Sequence, residues 1–240
     1  MSYAGKVAVI TGASRGLGAG VAQAFLDAGL KVGVCARNQP ELTGASVVSD
    51  AVDVTDAAGL EEFGERVASQ LGPIDLWINN AAILTPIVFA RDLSPVDLAR
   101  HLEINVTGCL LGAQVFLRHR AKQAALINVS SGAALKGYPG WTAYCASKAA
   151  VDRLSECLAL EEEGTGLRVL SVAPGVIDTD MQATIRSTPR EQFPLVDKFL
   201  QLKEDDAFNT PAFIAKHYLE LAFGAAAPDE VVVRLPSEKG

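Results

Sequence analysis

The chain lacks a basic excess. Among its 240 residues, 21 Lys and Arg stand against 28 Asp and Glu, for a formal net charge of -7. That balance argues against a nucleic-acid surface and against adhesion to anionic membranes, although a local basic pocket for phosphate remains open. No uninterrupted apolar run is long enough to span a bilayer. The opening Met1-Ser2-Tyr3-Ala4-Gly5-Lys6 has no signal-peptide layout, so a cytoplasmic protein is expected. Cysteine is sparse, and Cys35, Cys109, Cys145 and Cys157 form no Cys-x-x-Cys pair. They read as free, mostly buried thiols, with Cys145 a small apolar filler. His101, His119 and His217 show no metal-ligand spacing, and no metal is expected. There is no internal repeat and no linker, so residues 1–240 read as one domain.

What is present is a regular alternation of strand and helix signals. Strands are expected at 6–11, 31–35, 46–52, 75–79, 125–129, 167–173 and 231–235. Helices are expected at 19–28, 57–70 and 144–163. Near-continuous apolar strands joined by helical crossovers imply an α/β fold, a doubly wound parallel sheet with helices on both faces. Residues 38–45 are too few for a crossover helix and read as a reduced helix or a turn. The segment 180–210 is long, irregular and follows a strand's C-terminal end, where an α/β enzyme keeps a substrate lid.

The first strand runs into Thr11-Gly12-Ala13-Ser14-Arg15-Gly16-Leu17-Gly18. Gly12 permits a tight turn, Gly16 lets backbone approach a pyrophosphate, and Gly18 lets the next helix pack on the sheet. The helix N-terminus offers free N–H groups to phosphates. The second strand ends Cys35-Ala36-Arg37, without the acid that holds an NAD ribose. Arg37 and Arg15 can flank a 2′-phosphate instead, which points to NADPH. If Arg37 only solvates a loop, NAD would serve. Asp53 is placed for the adenine amino group or for capping the next helix, a role that suits Asp56 or Thr55 better.

Tyr144 and Lys148 lie four residues apart in a Gly-free, Ala-rich run, and so share a helix face. An ammonium beside a phenol favours the phenolate and lowers its pKa from ~10 toward neutrality, which suits proton exchange with a reacting oxygen.

These motifs, with Asp53-Val54, Asn79-Asn80-Ala81-Ala82, Asn105, Ser130-Ser131 and Pro174-Gly175 followed by Thr179, resemble the short-chain dehydrogenase/reductase family over nearly the whole chain. The resemblance implies a single Rossmann-like domain with a seven-stranded parallel sheet. It also implies a catalytic set of Asn105, Ser131, Tyr144 and Lys148. Ser131 rather than Ser130 matches, because it precedes Tyr144 by thirteen positions. In that set Ser131 bonds the substrate oxygen, Tyr144 donates the proton, Lys148 tunes Tyr144 and holds the nicotinamide ribose, and Asn105 bends its helix and holds a relay water. Besides the glycine loop, the implied coenzyme contacts are Arg37, Asp53, Val54, Asn80, Ala81, Ala82, Tyr144, Lys148, Pro174, Gly175, Val176, Ile177 and Thr179. Asn79 and Asn80 would steady the fourth strand's end. Ala82 replaces a usual glycine, and the C-terminus lacks the Gly-Gly ending common among oxoacyl-carrier-protein reductases.

The run Asp178-Thr-Asp-Met-Gln182 and the Leu202-Lys203 pair resemble the sepiapterin reductase and benzil reductase branch. That implies an NADPH-dependent reductase of ketones or vicinal dicarbonyls. Leu84, Tyr138, Trp141, Met181 and Phe193 read as pocket walls, although Trp141 reads equally as packing. The alternatives are an NAD(P)-dependent alcohol dehydrogenase of the same family and a non-catalytic NADP-binding sensor. The resemblance also implies a homodimer or homotetramer, with Leu110, Leu111, Phe116, Leu154 and Leu158 as either seam or core.

Overall fold

The computed structural model describes residues 3–226 and 228–239. Met1 and Ser2, where the reading of the leader began, lie outside them. β1 (Val7–Thr11) is buried throughout, and its side chains alternate between two apolar layers. Ala8 and Ile10 face one layer; Val7 and Val9 face the other. The other strands are β2 (Lys31–Ala36), β3 (Val47–Ala51), β4 (Ile74–Asn79), β5 (Arg120–Val129), β6 (Leu167–Ala173) and β7 (Val232–Arg234), and Leu126 and Ile127 of β5 and Val169 and Leu170 of β6 divide between the same two layers. All pairings are parallel, in the order β3-β2-β1-β4-β5-β6-β7. A sheet buried on both faces explains why its strands read as unbroken apolar runs.

One layer is covered by α1 (Gly16–Asp27) and α8 (Pro211–Phe223), through Val21, Phe25, Ile214 and Tyr218. The other is covered by α2 (Ala57–Leu71), α4 (Gly108–His119) and α5 (Thr142–Glu161), through Phe63, Val67, Phe116 and Leu158. A short α3 (Pro95–Leu102) leads into a π-helical turn, Glu103–Thr107, ahead of α4. Residues 180–210 hold α6 (Asp180–Ser187) and α7 (Val196–Glu204).

Several expectations shift. α1 starts at Gly16 rather than 19, because the glycine loop itself forms the helix entrance. β5 starts at Arg120, five residues earlier than expected, on a polar stretch that pairs at the sheet's base. α8 was unforeseen, yet Thr210 caps it by accepting from the Phe213 N–H at 3.2 Å, with Pro211 in its first turn. Asp56, not Asp53, caps α2. Residues 38–45 form no helix. Cys157 is exposed, unlike the buried Cys35 and Cys109. Phe116 and Leu158 belong to the core, whereas Leu110, Leu111 and Leu154 stay half-exposed. Among the described residues no helix is long and apolar enough to cross a membrane.

β1 and β4 are neighbours although α1, β2, β3 and α2 separate them in sequence, so the chain's winding reverses between them. A crevice opens above the strand ends at such a switch point. A buried polar chain holds this region. Trp77 Nε1 donates to Asn79 Oδ1 at 2.8 Å, Asn79 Nδ2 donates to Asn128 Oδ1 at 2.8 Å, and Asn128 Nδ2 donates to Ser155 Oγ at 2.9 Å. A second Asn79 bond reaches the Cys109 carbonyl at 2.9 Å. The set ties β4, β5, α4 and α5 together, and every member is satisfied. Asn128→Ala should strip partners from Asn79 and Ser155 and cost about 2–3 kcal/mol. Urea unfolding would show this as a lowered midpoint; an unchanged midpoint would mean the network does not hold the fold.

Candidate active site

The cleft at the switch point has a volume of about 750 Å³, and every residue assigned to the coenzyme from the sequence lines it. The glycine loop is built to close tolerance. Gly12 has φ +67°, and a Cβ there would lie 2.7 Å from Ala81 Cα. A Cβ on Gly18 would lie 2.6 Å from both the Gly12 carbonyl oxygen and Asn80 Nδ2. Asn80 pins the loop from below, its amide donating to the Thr11 and Gly12 carbonyls at 2.9 and 3.1 Å. Asn79 steadies the end of β4, whereas Asn80 serves the loop.

Arg37 follows β2 and has no hydrogen-bond or ion-pair partner among the described residues. Arg15 precedes α1 and pairs with Asp180 of α6 at 2.8 Å. Asp53 lines the cleft while its Oδ1 accepts from the Thr55 N–H and hydroxyl at 3.0 and 2.8 Å.

At the other end, α5 carries Tyr144 and Lys148 into the cleft wall, 8% and 3% exposed. Lys148 Nζ donates to the Val129 carbonyl at the end of β5 at 2.7 Å. Ser131 Oγ accepts from the Ala133 N–H at 3.2 Å and lies beside the Tyr144 phenol. Asn105 sits in the π turn, fully buried and outside the cleft lining. Its Nδ2 donates to the Ile83 carbonyl at 2.9 Å and to Ser147 Oγ at 3.0 Å, and its Oδ1 accepts from the Ile83 N–H at 2.8 Å. Ser147 Oγ in turn donates to the Tyr144 carbonyl at 2.9 Å. The expected local bend at Asn105 is this π turn. Both amide protons and one lone pair of Oδ1 are bound to protein, so a water at this side chain would meet the second lone pair of Oδ1.

Leu84, Tyr138, Trp141 and Met181, expected as pocket walls, line the cleft. Phe193 does not; it is fully buried behind Trp141, stacked with a centroid separation of 4.9 Å. Trp141 is thus both wall and packing. Phe199 and Leu202 of α7 complete the wall. The sequence reading missed Asn209, which is 4% exposed. Its Nδ2 donates to the Pro174 and Pro236 carbonyls at 2.8 and 3.0 Å, and its Oδ1 accepts from the Glu238 N–H at 2.8 Å. It clamps the Pro174-Gly175 loop to the C-terminal stretch. A polar residue just ahead of the Thr-Pro start of α8 was the available signal.

The family model described as short chain dehydrogenase matches residues 6–190. The chain belongs to the short-chain dehydrogenase family. It is 35% identical over 225 residues to a benzil reductase ((S)-benzoin forming) of Bacillus subtilis strain 168, covering 89% of this chain and 91% of that one. A benzil reductase of Bacillus cereus is 31% identical over 247 residues, covering 96% and 99%. The crystal structure of the KRED1-Pglu enzyme superposes with a TM-score of 0.86 at 32% identity, covering 96% of this chain and all of that one. Membership makes the protein an oxidoreductase that works through a nicotinamide coenzyme, NAD(P)(H).

The electrostatics of this short-chain dehydrogenase correct one expectation. Burial pushes the Tyr144 phenol up to about 12, against the smaller opposing effect of the Ser131 hydroxyl. Lys148 does not offset this. Its ammonium is turned to Val129 and lies 5.8 Å from the centre of the Tyr144 ring, and burial lowers its own pKa. Sharing a helix face therefore did not put the charge on the phenol. In the coenzyme-free protein, absorbance titration of wild type minus Tyr144→Phe should show no phenolate step near the ordinary ~10. A Tyr144 step at or below that value would contradict the burial argument.

Proposed function

We propose that this short-chain dehydrogenase reduces a ketone or vicinal dicarbonyl with NADPH. The observation that carries the reading is Tyr144, a buried phenol held protonated beside Ser131, at one end of a cleft whose other end offers arginines and no ribose-binding acid. The benzil reductases support the substrate class.

The cleft fits the coenzyme. Gly12 and Gly18 pack too closely on Ala81, Asn80 and the loop's own backbone to carry a side chain, and the N-terminus of α1 opens onto the cleft with its N–H groups. Arg37 and Arg15 would hold a 2′-phosphate, and Asp53 and Val54 the adenine. Ala81, Ala82 and Pro174 to Ile177 would flank the nicotinamide ribose and ring, with Thr179 at the carboxamide. Bound NADPH would supply hydride to the carbonyl carbon.

The chain's own part is acid chemistry and positioning. Ser131 and Tyr144 orient the carbonyl oxygen through hydrogen bonds that strengthen as negative charge develops on it. Tyr144 passes its phenolic proton to that oxygen, giving the alcohol. With its pKa raised by burial, the phenol is protonated at neutral pH, the form that donates to the developing alkoxide. Lys148, anchored on the Val129 carbonyl, would hold the nicotinamide ribose. Asn105 and Ser147 hold the π turn against α5. A sensor would need none of this set.

Residues 180–210 act as the lid, with Asp178 bridging its two helices. Its carboxylate accepts from Arg186 of α6 at 2.9 Å and from Lys203 of α7, and these bonds hold its pKa below the usual carboxylate range. The half-exposed Leu110, Leu111 and Leu154 suit a homo-oligomeric seam. Free thiols throughout agree with a cytoplasmic setting. Tyr144→Phe should lower kcat by at least about 10²-fold, the scale of a lost general acid, while NADPH binding stays within about twofold. Undiminished turnover would sink the mechanism.

A further inference from the structure

Of the arginines assigned to the coenzyme phosphate, one is free and the other is engaged. Arg37 has no partner among the described residues. Arg15 Nη1 lies 2.8 Å from Asp180 Oδ2, a contact that joins the phosphate loop to the first residue of lid helix α6. The other acids lining the cleft bond elsewhere: Asp53 to Thr55, and Asp178 to Arg186 and Lys203. Asp180 is thus the cleft acid that holds a candidate phosphate ligand.

We propose that Asp180 competes with the coenzyme's 2′-phosphate for Arg15, and so tempers the preference for NADPH over NADH. The proposal rests on the NADPH reading above. Both side chains are well exposed, 75% for Arg15 and 71% for Asp180, so the ion pair is weak and readily exchanged. A phosphate dianion offers the guanidinium more charge and a forked set of acceptors, and it displaces the single carboxylate. The released Asp180 stays in the first turn of α6, where the helix dipole favours an anion. NADH carries no 2′-phosphate and leaves the pair intact. The competition therefore penalises NADPH alone. It also couples coenzyme to lid, since freeing Arg15 removes a tether at the base of α6.

Coenzyme dissociation constants from fluorescence titration of the full chain test this, using NADPH and NADH with wild type, Asp180→Ala, Asp180→Glu, Arg15→Ala and the Arg15/Asp180 double alanine variant. Asp180→Ala should tighten NADPH about two- to fivefold, the scale of an exposed ion pair, and leave NADH unchanged. Asp180→Glu should behave as wild type. In the Arg15→Ala background the Asp180 change should have no effect on NADPH. If Asp180→Ala leaves NADPH unchanged, weakens it, or tightens both coenzymes alike, the competition is wrong. The same holds if the tightening persists without Arg15. If Arg15→Ala binds NADPH as well as wild type does, the phosphate placement itself fails, and the competition with it.

Discussion

Lys148 carries its ammonium into the interior, where Val129 supplies a carbonyl at 2.7 Å. A buried charge costs several kcal/mol unless hydrogen bonds replace its water, and that need fixes much of what surrounds it. β5 must end at Val129 directly under α5, and α5 must keep one register against the sheet. The Asn79–Asn128–Ser155 chain enforces both, since it links β4, β5 and α5 about two turns along α5 from the lysine. Tyr144, a turn earlier on α5, then falls at the cleft wall beside Ser131, which leaves β5 two residues after Val129. The π turn is drawn into the same arrangement through Asn105 and Ser147, which reach the Tyr144 carbonyl.

Charge is distributed to match. The chain is acidic, at -7 overall, yet Arg15, Arg37 and Lys148 all line the cleft. An anionic coenzyme would therefore meet a local positive site on an acidic protein. The segment 180–210 relies on the same charge pairing at short range. Its helices are joined through Asp178, and its base reaches the phosphate loop through Asp180. Phe193 and Phe199 of the same segment pack with Trp141 into an aromatic cluster that shapes the apolar end of the cleft.

Much of this was legible in the sequence because it depends on local pattern. Fully buried parallel strands announce themselves as apolar runs, and the glycine loop, Ser131, Tyr144 and Lys148 are fixed by spacing along one strand end or helix face. What was not legible depends on partners far apart in the chain. Phe193 and Trp141 are equally aromatic, and only the tertiary packing decides that one lines the cleft while the other backs it. Asn105 has no sequence neighbour that reveals Ile83 as its partner, and Asn209 meets Pro174 and Pro236 only after the sheet is assembled. The Tyr144 pKa was misjudged for the same reason. Helical spacing gives the shared face, but the direction of the lysine was set by Val129, on a different element.

The most direct test is wild-type turnover of benzil with NADPH, following loss of the reduced nicotinamide absorbance and quantifying the hydroxyketone formed. Carbonyl reduction at Tyr144 requires one hydroxyketone per NADPH consumed, at a rate that falls when NADH replaces NADPH. Tight NADPH binding with no consumption against benzil, other α-diketones, a sepiapterin-like pterin or simple aldehydes would contradict it.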